Sequence, residues 1–278
     1  MGSRRHINIP GKKINLPAMT EKDIADTKVG ISANVDFFAL SFVREAGDIN
    51  QLKQFLLDNQ SSAKVVAKIE DQSGIENLQE ILDVSDALMV ARGDLGIEVP
   101  YEELPIIQMQ AVNDALVSGK PVIMATHLLE SMIESPMPTR AEITDVSNSV
   151  FERVDCVMLS GETSVGKYPV ECVNVLNKIT QNVERYAGRG GFNEFLPLVT
   201  TREKLMKSAV VLARELGGVG IVVFSSTGLH VQTLSALRPH GCPIFVFTEN
   251  EHIISMSRML WGVKAFLVEF KDSQESTI

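Results

Sequence analysis

Val65-Val66-Ala67-Lys68-Ile69-Glu70 is a short apolar run that ends in charge. It is answered further along by Ala87-Leu88-Met89-Val90-Ala91-Arg92-Gly93-Asp94-Leu95-Gly96. Runs of this length read as strands buried on both faces, as in a parallel sheet. The charges then stand at strand C-termini, the end at which α/β folds carry their chemistry. If the two strands are neighbours, one cation and two carboxylates meet there.

The chain has 278 residues, enough for one large domain or two smaller ones. Its 45% apolar and 22% charged residues are those of a globular protein, and its net charge of −9 argues against an extended nucleic-acid surface. Three widely spaced cysteines form neither a CxxC pair nor a disulfide framework and fit a reducing cytosol, so a cytoplasmic location is expected. No apolar run is long enough to span a membrane, and the N-terminus has no apolar signal core.

Residues 4–18 read as a basic leading segment, and Thr20 as the N-cap of a helix. Val35–Phe42 reads as a strand, followed by a helix with Ile49, Leu52, Phe55 and Leu56 on one face. After the Val65–Glu70 strand, Ile75, Leu78, Ile81 and Leu82 mark a helical face, and Ala87–Ala91 is the next strand. A helix from about Leu104 to Ser118 stops at Gly119. Pro121–Ala125 is a strand, Leu128–Ile133 reads as helical, and Thr139 with Glu142 caps a further helix. Asp155–Leu159 is a strand, and Pro169 starts a helix carrying Val173, Leu176 and Ile179. This strand–helix alternation predicts a parallel α/β architecture with five β/α units. A closed eight-stranded barrel typically needs about 250 residues, so either the sheet is open or part of a barrel lies outside this chain.

Residues 187–200, with Gly188-Arg189-Gly190-Gly191 and Pro197, read as a linker. The expected domains are 1–187 and 188–278. In the second, a helix over Arg202–Leu216 precedes a strand at Val219–Phe224. The polar turn Ser225-Ser226-Thr227-Gly228 then leads into a helix with Val231, Leu234 and Leu237. Strands follow at Pro243–Phe247 and Ala265–Val268, and Lys271–Ile278 is a polar tail.

Lys68 and Glu70 are two apart on one strand, so their side chains share a face. Mg²⁺ takes one or two carboxylates plus water and substrate oxygens, which Glu70 and Asp94 could supply. Lys68 beside them would stabilise negative charge on a phosphoryl group or enolate. Gly93 lets a main-chain N–H approach an anion closely, and Thr126 offers a hydroxyl from the next strand end. Taken singly, these residues also suit a surface salt-bridge group; charges at successive strand ends favour a site.

Other residues have plainer readings. Glu142 is a capping partner, His127 a packed or edge histidine, Met109 and Met132 core filler, and Cys156 a buried, inert thiol. Ser160-Gly161-Glu162 lacks a neighbouring base to activate a nucleophilic serine, so hydrogen bonding or proton relay suits it better. The Ser225–Gly228 turn fits a phosphate cradle and an ordinary N-cap equally well.

At these segments the chain resembles the pyruvate kinase family. The matching stretches are Ala67–Glu70, Val90–Gly96, Ala125–Met132, Pro138–Glu142 and Met158–Thr163, in order and at matching spacing. The resemblance extends back to Ile7–Asp23 and forward through the second domain. It implies a (β/α)8 TIM-type barrel, incomplete here, with a small C-terminal α/β domain of regulatory kind, usually in a homo-oligomer. It implies phosphoryl transfer from phosphoenolpyruvate to ADP, giving pyruvate and ATP, with Mg²⁺ and K⁺. On that resemblance Glu70 and Asp94 are Mg²⁺ ligands and Lys68 is the cation at the phosphoryl and enolate charge. Gly93 and Asp94 offer N–H groups to the substrate carboxylate, and Thr126 binds the same substrate. Ser160 and Glu162 belong to the network that delivers a proton. Ser225, Ser226 and Thr227 match the region where many members bind a phosphorylated effector.

The departures also carry expectations. The family has three barrel strands and a lid domain before the segment matched by Ile7, with the potassium ligands and much of the nucleotide site, and further C-terminal strands. His127 stands where Gln is common. Little or no turnover is therefore expected of this chain alone. Two alternatives accompany the main reading: an inactive or regulatory chain that binds a partner polypeptide or phosphorylated ligand, and a different Mg²⁺-dependent enolpyruvate barrel enzyme, an aldolase or lyase.

Overall fold

The Val65–Glu70 run forms a strand over Lys64–Ile69 with Glu70 just past its end, and its alternation decides what lies on either side of it. A computed structural model describes residues 17–187, Leu196 and residues 198–270. The leading segment expected at 4–18, the linker at 187–200 and the tail at Lys271–Ile278 fall wholly or largely outside the described residues.

The first unit runs α1 (Glu21–Ser32), β1 (Phe37–Leu40), α2 (Ala46–Asp58), β2 (Lys64–Ile69), α3 (Gln72–Glu76), α4 (Leu78–Val84) and β3 (Ala87–Ala91). It continues with α5 (Arg92–Glu98), α6 (Leu104–Val117), β4 (Val122–Ala125), α7 (Arg140–Phe151), β5 (Cys156–Met158), α8 (Gly161–Ser164) and α9 (Pro169–Ala187). The strands form one parallel sheet in the order β1-β2-β3-β4-β5. Val65, Ala67 and Ile69 of β2, with Leu88 and Val90 of β3 and Val122 and Met124 of β4, face a core completed by Ile49, Leu52, Ile81, Val112 and Leu116 from the helices. The alternate residues Val66, Ala87, Met89 and Ala125 form a second cluster on the other face, together with Phe37, Ile123 and Met158. Burial on both faces is what the apolar strand sequences require.

The second unit runs α10 (Thr201–Leu216), β6 (Ile221–Phe224), α11 (Leu229–Ala236), β7 (Ile244–Thr248), α12 (Glu251–Ser257) and β8 (Val263–Leu267), with a parallel sheet in the order β6-β7-β8. Met259, just past α12, packs into the inner-face cluster of the first sheet. Arg238 donates to both carboxylate oxygens of Asp155, at 2.9 and 2.8 Å, and stacks 5.6 Å from the Trp261 ring centroid. The two units are thus joined by an ion pair whose side chains are 6% and 3% exposed.

Helix starts follow local chemistry closely. Thr20, Thr139 and Thr200 each form a reciprocal capping box with the acid three residues on. Other expectations needed correction. The Ile75–Leu82 face is divided at Asn77, whose side-chain amide donates to the Arg44 carbonyl at 2.7 Å. Leu128–Ile133 is not a helix; only a 3₁₀ turn at Glu130–Ile133 forms. Carboxylates take its main-chain amides, Glu162 at Leu129 (3.1 Å) and Glu142 at Ser131 (2.7 Å). Val173 points outward at 53% exposure, and the buried stripe of α9 is Cys172, Leu176 and Val183. Met132 is core, but Met109 is 53% exposed. The short helices α5 and α12 had no periodic signal.

Candidate active site

The site is built at the C-terminal ends of β2, β3, β4 and β5. The register pairs Lys68 with Met89 and Ile69 with Val90, then Ala91 with Ala125, so the residues after these strands converge. Lys68 Nζ lies 2.9 Å from Glu70 Oε1 and donates to Ser41 Oγ at 3.1 Å. The other Glu70 oxygen accepts the Phe42 N–H at 2.7 Å. The carboxylate is therefore held by a cation and a main-chain amide where water is largely excluded, the arrangement a buried charge needs.

Asp94 sits half-buried in the first turn of α5, where main-chain N–H groups lack carbonyl partners and negative charge is favoured. Among the described residues its carboxylate has no hydrogen bond or ion pair. Each Glu70 oxygen keeps a lone pair beyond its present contact. This donor set, one free carboxylate and one anchored carboxylate after neighbouring strands, fits Mg²⁺, which takes few protein ligands and completes its shell with water and substrate. Among the described residues no group of three or more His, Cys, Asp or Glu side chains is clustered to hold a metal by itself.

Gly93 departs from expectation. Its N–H donates to Thr126 Oγ1 at 2.7 Å, so that donor is engaged within the protein. A Cβ here would stand 3.2 Å from His127 Cε1 and 3.3 Å from Thr126 Oγ1, so the glycine makes room for the end of β4. Thr126 and His127 both have left-handed backbone, at φ 67° and 55°. The His127 side chain is 59% exposed and 3.8 Å from Glu130.

Glu162, 3% exposed, accepts the Ser160 N–H at 2.8 Å and the Leu129 N–H at 3.1 Å, binding the end of β5 to the loop after β4. Glu142 has the capping role read for it and also accepts the Ser131 hydroxyl and N–H. Burial works against its charge, but the Ser131 and Thr139 hydrogen bonds prevail and hold it below the usual carboxylate range. Cys156 is half-buried, and burial with the nearby Asp155 charge pushes its thiol up to about 11, so it is unreactive as expected.

Ser225, Ser226 and Thr227 belong to the other sheet. Ser225 is buried and its Oγ accepts the Gly228 N–H at 2.9 Å, a turn-stabilising role; Ser226 and Thr227 are exposed. No sequence pattern assigns a role to Ser41, to the Phe42 amide, to Asp145 or to Arg92. Arg92 stands inside the Val90–Gly96 stretch, which was the available signal; the others carry none.

The pyruvate kinase barrel-domain model matches residues 1–173, and the pyruvate kinase alpha/beta-domain model matches residues 203–278. A pyruvate kinase of Dictyostelium discoideum is 40% identical over 277 residues, covering 97% of this chain and 54% of its own length. One from Hypocrea jecorina is 42% identical over 274 residues, covering 96% and 50%. A crystal structure of a pyruvate kinase from Cryptosporidium parvum superposes with a TM-score of 0.91 at 35% identity, over 97% of this chain and 58% of that one. The chain spans about half the length of the curated relatives it matches.

Proposed function

The chain belongs to the pyruvate kinase family, and from that premise we propose that its site takes phosphoenolpyruvate with Mg²⁺ and serves phosphoryl transfer to ADP, giving pyruvate and ATP. The observation that carries this reading is the convergence of Lys68–Glu70, Gly93–Thr126 and Ser160–Glu162 at successive strand ends. In the transfer, the bond between phosphorus and the enol oxygen breaks, and a terminal oxygen of ADP takes the phosphoryl group. The enolate left behind takes a proton at its methylene carbon.

Glu70 and Asp94 would hold Mg²⁺, which when bound neutralises charge on the phosphoryl and carboxylate oxygens. Lys68 lies beside Glu70 on the inner face and stabilises the charge that develops on the enolate oxygen. The Thr126 hydroxyl, which bridges the Gly93 N–H and the Ala125 carbonyl, would turn its single proton from that carbonyl to the substrate to orient it. Both oxygens of Glu162 are engaged with main-chain amides, so Glu162 holds the Ser160 turn in place, and the proton reaches the carbon through hydroxyls and solvent around Thr126 and Ser160. Potassium use, assembly into a homo-oligomer and a phosphorylated effector at Ser226 and Thr227 are proposed with the family. None of the described residues is assigned to potassium. No helix among the described residues is long and apolar enough to cross a membrane.

The test pairs calorimetric titration of phosphoenolpyruvate in Mg²⁺ with a coupled assay of ATP formation in Mg²⁺ and K⁺. We expect phosphoenolpyruvate to bind and ATP formation by this chain alone to be slight or absent. A folded chain that binds no phosphoenolpyruvate overturns the assignment, and cleavage of a keto acid without nucleotide would favour an aldolase or lyase.

A second reading has its own observation. Among the described residues β1 and β5 each pair on one side only, leaving two open edges in a parallel sheet. A regulatory chain that binds a partner polypeptide along these edges would bind phosphoenolpyruvate without turnover and change mass on meeting that partner.

A further inference from the structure

We propose that Arg92, backed by Asp145, is a positioning residue that locks Thr126 in its left-handed turn and so fixes the end of β4 at the edge of the site. This deepens the phosphoenolpyruvate reading and rests on it for the identity of the ligand.

Arg92 is 8% exposed and uses the two ends of its guanidinium on different elements. Nη1 donates to Asp145 Oδ1 of α7 at 2.6 Å, and Nη2 donates to the Thr126 carbonyl at 2.8 Å. The next residue, Gly93, donates its N–H to the Thr126 hydroxyl at 2.7 Å. That hydroxyl in turn donates to the Ala125 carbonyl at 2.7 Å. Arg92 and Gly93 therefore grip one residue, by its carbonyl and by its side chain.

Thr126 needs such a grip. A β-branched residue at φ 67° is strained, and here His127 at φ 55° follows it directly. Such a conformation persists only where its surroundings over-determine it. An arginine buried for packing alone needs only its ion pair; this one spends its second end on the strained residue. The backing is firm as well. Asp145 lies on α7, whose start is fixed by the Thr139–Glu142 capping box. Glu152, on the same side, accepts from Gln108 at 2.7 Å and adds a second negative charge near Arg92. A lysine is a single point charge and cannot bridge a carboxylate and a carbonyl in this planar geometry.

The test uses Arg92→Lys, Arg92→Met and Asp145→Asn in the full chain, with two readouts. The first is amide hydrogen exchange at Gly93, compared with Leu88 and Val90 in the β3 core. We expect Arg92→Lys and Arg92→Met to speed Gly93 exchange about tenfold or more and to leave the β3 amides unchanged. Asp145→Asn keeps an acceptor for Nη1 and should give a smaller rise. The second readout is phosphoenolpyruvate affinity in Mg²⁺, which should fall about tenfold with Arg92→Lys while affinity for Mg²⁺ alone is kept. If Arg92→Met does not fold, Arg92→Lys and Asp145→Asn decide by the same measurements. Unchanged Gly93 exchange in folded Arg92→Lys overturns the proposal. Failure of the unaltered chain to bind phosphoenolpyruvate overturns the functional reading instead, and Gly93 exchange still decides the role of Arg92.

Discussion

The ammonium of Lys68 stands 2.9 Å from Oε1 of Glu70, a carboxylate whose side chain is only 2% exposed. The pair is internal to one strand end, and the two residues reach each other because a strand repeats its faces every second position. Glu70 also receives the Phe42 amide, so it is aimed as well as charged. Glu70→Gln removes the charge but keeps the shape and the amide contact. Mg²⁺ affinity measured by titration should fall about tenfold or more. Unchanged affinity would take Glu70 off the ligand set.

The junction between the two units rests on Asp155. Its carboxylate accepts from Arg238, from the Trp261 amide at 3.1 Å and from the Val122 amide at 3.0 Å. Asp155→Ala leaves a buried guanidinium unpaired, which should destabilise the fold by about 3–5 kcal/mol. Chemical denaturation followed at Trp261 measures this directly, and a shift below about 1 kcal/mol would mean that water replaces the carboxylate.

Glu162 joins β5 to the loop after β4 through two main-chain amides. Glu162→Ala orphans both donors, at about 1–3 kcal/mol each, whereas Glu162→Gln retains one acceptor oxygen and should cost less. The denaturation midpoints of the two variants should therefore rank Gln above Ala. Equal midpoints would show that the charge, not the hydrogen bonding, holds the loop.

His252 on α12 faces Asp36, Lys64 and Asp86 at the opposite end of the strands from the site, and its Nε2 is buried without a partner among the described residues. Burial, aided by Lys64, holds its pKa below the ordinary 6.5; Asp36 and Asp86 oppose that shift. Because the unfolded chain then takes up the proton first, stability is full above 6.5 and falls as pH drops toward the lowered native value. His252→Gln should flatten thermal stability across that interval. A slope identical to that of the unaltered protein would assign the loss to other groups.

Much of this molecule was legible in its sequence. The strand–helix alternation, the helix starts at Thr20 and Thr139, and the family motifs were all readable, because alternation, capping and turns involve residues only a few positions apart. The sequence by itself therefore determined the parallel α/β units and named Lys68, Glu70, Asp94, Thr126, Ser160 and Glu162. Tertiary structure alone decided how they are held. Arg92 meets the Thr126 carbonyl across 34 positions, Glu162 meets the Leu129 amide across 33, and Arg238 meets Asp155 across 83. It also decided that the Gly93 N–H goes to Thr126, and that Leu128–Ile133 yields its amides to carboxylates instead of coiling into a helix. The physical reason is common to all of these. A contact between residues far apart in the sequence depends on strand register or on how the two units dock, and neither is written in any local pattern.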